Sequence, residues 1–347
     1  MKQTKRPLPA AGIVIVTTLG VVAAGVFAAP GFAADSSAPA LPQPGDTTAV
    51  LAPLAPPADS SATQSGLAQA LSGPLSVKAL GPNARVAVFD TDSGNLLYER
   101  SGSNPATPAS TNKLLTAAAV LSAYGADYRI KTSVVQASSP TDLVLVGGGD
   151  PLLRTTPAAP DESPAASLTD LADQTANALK AAASSGGETP TTLSATVNFD
   201  DSLFTGPRTA PSWPSSYVTS QLVSPITALM VNGGGGADPA RTAATTFVSL
   251  LKKRGIAVPA APNRVTASSG ATEVAVVNSS ALSGVVTHTL TASDNTAAEM
   301  LGHLAGVKNG GGGSFEGGTV AVNRTLDGAG DPHQRGTALR RVRAKPR

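Results

Sequence analysis

A hydroxyl and an amine stand three residues apart in Ser110-Thr111-Asn112-Lys113, where an extended Pro-containing loop gives way to an apolar run without a helix breaker. If a helix begins at Ser110, both side chains share one face and lie within reach of each other. A serine hydroxyl attacks only when a neighbour takes its proton, and a lysine can do so once burial or a nearby cation leaves it neutral. The free backbone N–H groups at a helix start would also favour a developing oxyanion. A second string, Ser293-Asp294-Asn295, offers a hydroxyl and a carboxamide just before another helical stretch. Each string also has a plain structural explanation. Ser110 can cap a helix with Lys113 in water, Ser293 or Asp294 can cap the next one, and Ser249-Leu250-Leu251-Lys252 repeats the Ser-Lys spacing on what reads as the solvated face of an amphipathic helix.

The rest of the composition narrows the chemistry. The 347-residue chain has no cysteine, and its three histidines, His288, His303 and His333, are scattered, so neither a thiol nucleophile nor a tetrahedral zinc cluster is expected; catalysis falls to oxygen and nitrogen groups. A formal charge of +2 and 3% aromatic residues argue against a nucleic-acid partner. The Gly-rich runs at 147–149, 233–236 and 310–313 lack phosphate-loop spacing and read as turns.

The positioning elements follow from local patterns. Lys2, Lys5 and Arg6 precede an uncharged apolar run from about Ala10 to Ala29 and small residues to Ala34, so 1–34 reads as a secretory signal or an N-terminal anchor. Both place the body of the chain outside the cytoplasm and limit membrane contact to that anchor. Residues 35–76, rich in Ala, Pro, Ser and Thr, read as a disordered linker. The alternation at 85–90 and 96–99 around Asp92-Ser93-Gly94-Asn95 predicts a β-hairpin, and Ser110 to Tyr124 a helix starting at the serine. Strands at 143–146 and 194–199 and helices over 168–183 and 239–254 make 131–280 a second, mixed domain. Helical pattern returns at 285–290 and after Asn295.

Ser-x-x-Lys followed by Ser-Asp-Asn is a known pair of motifs. Together with PASTNKLLTAAAVLSAYG, LVGGGDPLL, NFDDSLFTGP and SDNTAAEML, it resembles the D-alanyl-D-alanine carboxypeptidase/endopeptidase family of low-molecular-mass penicillin-binding proteins, peptidase family S13, over about 77–330. The resemblance implies an α/β mixed (α+β) penicillin-binding/β-lactamase-like serine transpeptidase fold. Its catalytic domain would comprise 77–130 plus 281–330, with 131–280 as the large inserted domain. It also implies roles: Ser110 as nucleophile on the penultimate D-alanine carbonyl, Lys113 as its base, Ser293 as proton relay and Asn295 as holder of the substrate amide. Peptidoglycan stem peptides would be substrates, β-lactams covalent inhibitors, and no metal or cofactor would be needed. The alternatives are an impaired homologue that binds muropeptide or is inert, a β-lactamase-like hydrolase, or an acyltransferase or esterase.

The family's third motif, Lys-Thr-Gly, has no counterpart after Ser293. Lys131-Thr132-Ser133 precedes it and lacks the glycine, and Arg335-Gly336-Thr337 has the wrong order. The likeness stops near Gly330, and six of the last seventeen residues are Arg or Lys. A truncated or frame-shifted gene, with part of the central sheet missing and 331–347 as a non-native basic tail, is the resulting expectation; a solvated tail that binds anionic wall polymer is the other.

Overall fold

The computed structural model describes residues 63–90, 94–159, 162–185 and 192–328. The signal or anchor segment, most of the linker and the basic tail expected from sequence lie outside them. The described chain forms two compact units that meet in sequence at Ala109 and Ser110.

The first unit opens with α1 (Gln64–Ser72), where Thr63 Oγ1 accepts the Gly66 N–H at 3.1 Å and so caps a helix start. Two 3₁₀ turns, Pro74–Ser76 and Lys78–Leu80, follow. The stretch expected as a disordered tether is thus helical from Gln64. The Ala and Leu of QSGLAQALS outweigh its small polar residues, and Pro74 stands just beyond the end, where it starts the next turn instead of breaking a helix. The expected hairpin is present as β1 (Val86–Phe89) and β2 (Leu96–Arg100), antiparallel with Val86 opposite Arg100 and a slip between Val88 and Phe89. Part of its turn, 91–93, lies outside the described residues.

In the second unit, α2 (Lys113–Tyr124) precedes β3 (Lys131–Gln136), β4 (Asp142–Gly147) and α3 (Leu168–Ser185). Then come the short β5 (Leu193–Ser194), β6 (Thr196–Asp200), α4 (Ser216–Thr219), α5 (Pro239–Lys253), β7 (Ile256–Ala257) and β8 (Glu273–Asn278). Three helices close it: α6 (Leu282–Thr291), α7 (Asn295–Lys308) and α8 (Phe315–Gly328). A four-stranded sheet has the order β6-β4-β3-β8, antiparallel except for β4 with β6. Lys131-Thr132-Ser133 is ordinary strand within it: Thr132 pairs with both Gly147 and Val277. The expected strand at 194–199 is broken at Ala195, whose N–H bonds to the Ala257 carbonyl, so β5 pairs with β7 while β6 joins β4.

Apolar residues fall into two main clusters. One packs α3 and α5 on the sheet through Leu171, Phe247, Leu145 and Phe199, and draws only on residues 134–277. The other joins α2, α6, α7 and α8 through Val120, Val285, Leu301, Leu304 and Ala321. Each fully buried Leu or Phe contributes about 1.5–3 kcal/mol, so the second cluster holds together the helices that bear the two motifs. The seam between α7 and α8 is lined by glycine. A Cβ on Gly306 would lie 2.3 Å from the Gly312 carbonyl oxygen, on Gly317 2.0 Å from the same atom, and on Gly318 2.8 Å from the Gly302 carbonyl oxygen. Only residues without side chains allow this approach.

Candidate active site

The two motifs meet in the second unit. The Lys113 ammonium donates to Ser110 Oγ at 3.2 Å, to Ser293 Oγ at 3.3 Å and to Asn295 Oδ1 at 2.7 Å. Ser293 Oγ donates to Ser110 Oγ at 2.8 Å. All four residues singled out in the sequence thus share one hydrogen-bonded cluster, although Lys113 and Ser293 are 180 positions apart. The three short polar side chains are exposed, whereas Lys113 is only 8% accessible. By contrast, the exposed Ser249 hydroxyl bonds back to the Thr245 carbonyl at 2.9 Å within α5, and Lys252 is exposed: that string is the solvated face of a helix.

Local structure explains the convergence. Ser110 does not begin the α-helix, as expected, but sits in a 3₁₀ turn, Ala109–Asn112, entered through Ala109 at φ +47°. Ser, Thr and Asn favour turns over helix interiors, so the α-helix starts at Lys113 and the hydroxyl stands one tight turn ahead of it. Ser293 has φ +52°, a left-handed conformation uncommon for a residue with a Cβ. It places the hydroxyl at the bend between α6 and α7. The cap of α7 is Asp294, whose Oδ1 accepts the Ala297 N–H at 2.9 Å, while its Oδ2 lies 3.6 Å from His288 Nε2. This leaves Asn295, the first residue of the helix, free to face Lys113.

A segment that sequence patterns did not connect to the site completes it. Asn295 Nδ2 donates to the Leu222 carbonyl at 2.9 Å, which fixes the amide so that its oxygen faces the lysine. The Ser224 N–H donates to Thr296 Oγ1 at 3.0 Å, and Val223, Ile226 and Met230 pack with Met300 of α7. Alongside them His303 lies between Phe204 and Phe315, at centroid distances of 5.0 and 4.6 Å. Burial lowers the His303 pKa, against the opposing effect of its contact with the Glu299 carbonyl. A hydrogen bond to a main-chain carbonyl has no side-chain signature, so Leu222 could not be found from sequence.

The electrostatics suit a lysine that can become a base. Burial pulls Lys113 below the ordinary lysine range, opposed by the charges of Asp294 and Glu299. Among the described residues no carboxylate lies within 4 Å of its ammonium. Around Phe199 the charges are paired. Arg264 bonds Asp201 at 2.8 Å and Asp238 at 2.7 Å, Arg208 lies 3.2 Å from Asp238, and the Arg264 guanidinium sits 4.9 Å above the Phe199 ring. A cavity of about 320 Å³ opens between this network and His303, but none of the four motif residues lines it. A different group, Asp150, is 2% exposed; one oxygen accepts the Leu152 N–H at 2.9 Å and the other has no partner. Burial pushes its carboxyl up to about 7. Among the described residues no group of His, Cys, Asp and Glu could hold a metal ion, and no helix is long and apolar enough to cross a membrane.

Known proteins share this arrangement of sequence and fold. The model of the D-Ala-D-Ala carboxypeptidase 3 (S13) family matches residues 67–237 and 235–333. Carboxypeptidase Rv3627c of Mycobacterium tuberculosis is 34% identical over 293 residues, which are 81% of this chain and 60% of that protein. Carboxypeptidase DacB of Mycolicibacterium smegmatis is 32% identical over 341 residues, 92% of this chain and 69% of its own length. The chain therefore spans about two thirds of the curated relatives it matches. Penicillin binding protein 4 of Haemophilus influenzae superposes with a TM-score of 0.53 at 15% identity, covering 70% of this chain and 66% of that one, a likeness of fold alone.

Proposed function

The chain belongs to the D-Ala-D-Ala carboxypeptidase 3 (S13) family, and on that premise we propose that it is a serine D,D-peptidase acting on the D-Ala-D-Ala end of peptidoglycan stem peptides. The observation that carries this reading is the buried Lys113 ammonium, held by Ser110, Ser293 and Asn295 with no carboxylate in contact among the described residues.

In the proposed reaction the neutral Lys113 amine takes the Ser110 proton as Oγ bonds to the penultimate D-alanine carbonyl carbon. The tetrahedral adduct then collapses: the C–N bond breaks, and the proton passes from Lys113 through the Ser293 hydroxyl to the leaving amine of the terminal D-alanine. The 3.3 Å contact between Lys113 and Ser293 would be the first link of that relay, and the 2.8 Å contact of Ser293 with Ser110 Oγ keeps the relaying hydroxyl beside the attacking atom. Water hydrolyses the resulting ester and regenerates Ser110. Asn295, anchored on Leu222, would exchange its lysine contact for the substrate amide. A β-lactam would acylate Ser110 by the same opening step, its amine remaining tethered as the ring opens. This work would take place outside the cytoplasm, where the N-terminal signal or anchor would deliver the chain and where its substrate lies.

Labelling with a fluorescent penicillin tests the proposal. The expected result is a covalent adduct that survives denaturing electrophoresis and disappears in Ser110→Ala. An unlabelled wild-type chain, or a label that persists in the variant, would overturn it.

A further inference from the structure

We propose that Glu299 is a positioning residue for this chemistry: set one helical turn behind Asn295, its otherwise unpartnered carboxylate acts beside Asp294 as a countercharge that steadies the resting Lys113 ammonium. The inference rests on the reading of Lys113 as the base, but it concerns a residue outside both motifs.

The geometry begins with α7. Glu299 is four residues after Asn295, hence one turn further along the same face of the helix. Asn295 is the residue whose Oδ1 accepts from the ammonium at 2.7 Å, and Lys113 is the first residue of α2, which packs along α7. Two carboxylates act on Lys113, those of Asp294 and Glu299. Asp294 is committed elsewhere: one oxygen caps α7 through the Ala297 N–H and the other faces His288. Glu299 has no such commitment. Among the described residues its carboxylate lies in no ion pair within 4 Å and accepts no hydrogen bond. A half-buried acid without a local partner would ordinarily be exposed or replaced, because desolvation of its charge is costly. Among the described residues the cation acting on it is Lys113, and the coupling is mutual: burial pushes the Glu299 carboxyl up while Lys113 pulls it back.

Asp294 also favours the ammonium, and α7 carries one more cation, Lys308, whose Nζ lies 5.5 Å from the Tyr124 ring centroid at the far end of the helix. On α2 the sole charged residue is Lys113 itself. α6 presents only His288, which faces Asp294, and His303 on α7 turns its ring nitrogen to the Glu299 main chain. On α8, Glu316, Arg324 and Asp327 are all exposed. Placed one turn away, Glu299 stabilises the resting ammonium without occupying the position from which Ser110 donates its proton.

Replacing Glu299 by glutamine removes the anion and keeps the shape, so the ammonium form of Lys113 loses support and its titration moves to lower pH, by about one unit. The measurement is a ¹³C NMR titration of the chain labelled at lysine Cε, with the Lys113 resonance assigned by its loss in Lys113→Arg. A midpoint lower by about one unit in Glu299→Gln, and restored towards wild type in Glu299→Asp, supports the proposal; an unmoved midpoint overturns it. Should Glu299→Gln fold poorly, the reciprocal titration replaces it. In Lys113→Met, the Glu299 side-chain ¹³Cδ should titrate at higher pH than in wild type, and an unchanged value would be equally fatal. The acid limb of penicillin acylation should follow the Lys113 midpoint, whereas a merely structural role would lower the rate at every pH without moving that limb. A shifted Lys113 midpoint in a chain that no penicillin labels would refute the peptidase reading while sustaining the role of Glu299. An unmoved midpoint in a chain that labels would do the reverse.

Discussion

Two clusters of charge in the second unit follow opposite rules. Around Arg264 and Arg208 each guanidinium meets the carboxylates of Asp201 or Asp238, and the contacts tie together loops distant in sequence. Around Lys113 the cation is more deeply buried, yet hydroxyls and a carboxamide surround it. Paired charges stabilise geometry; a cation denied a contact partner is held closer to losing its proton. Carboxylate contacts hold the Arg264 guanidinium charged, whereas burial without such a contact moves Lys113 the other way.

Removing the charges should reverse the contrast. The largest effect is expected for Lys113→Met, which should slow acylation of Ser110 by a penicillin by about 10²–10⁴-fold at a stability cost below about 2 kcal/mol, since relief of the buried cation's desolvation offsets the loss of its three hydrogen bonds and of its pull on Glu299. A time course of labelling alongside urea denaturation checks both halves, and a large loss of stability would show that the lysine is a structural group after all.

Asp150 extends the comparison to an acid, for it too is buried with an oxygen unpartnered. Its carboxyl is raised from 3.8 to about 7, so between those pH values the unfolded chain is ionised while the fold retains the proton. Stability should therefore be greatest near pH 4, fall as pH rises to about 7, and level off above that. In Asp150→Asn this slope should vanish. At pH 8 the variant should gain on the order of 2–4 kcal/mol, the ionisation cost less that of an amide with too few partners. Urea titrations at pH 5 and pH 8 measure the difference, and parallel pH profiles for the two proteins would count against it.

For Arg264→Ala the sign is opposite. It leaves Asp201, whose side chain is 9% exposed, with only the longer 3.7 Å contact to Arg208, and should cost about 1–3 kcal/mol of stability measured by urea unfolding without changing Ser110 labelling. Smallest of all is Asp173→Asn. Its partner Arg254 keeps bonds to the Leu250 and Thr169 carbonyls, so the loss should not exceed about 1 kcal/mol and should shrink further in salt.

These groups also mark the reach of sequence reasoning. Ser110, Lys113, Ser293 and Asn295 were legible because each motif packs its chemistry into three or four neighbouring residues, and the helices that carry them, α2 and α7, have clear apolar runs. The hairpin, α3 and α5 were legible for the same local reason. The Arg–Asp network was not, because its members at 201, 208, 238 and 264 come from separate loops joined only by folding. Glu299 reads as one more polar residue on a helix until α2 is laid against it. Leu222 contributes a carbonyl that every residue possesses. The 3₁₀ entry to α2 and the helix at Gln64 were missed because short turns and Ala-rich linkers share a composition.

The glycine seam between α7 and α8 bears on how this protein can change. Every single-nucleotide substitution that replaces a glycine introduces a side chain or a stop, so no amino-acid change at Gly306, Gly317 or Gly318 preserves the approach of the two backbones. Variation that reshapes the surroundings of Ser293 and Asn295 is therefore channelled away from the rear of α7 and into the 216–224 segment, whose contact with the site runs through main-chain atoms that most substitutions leave in place.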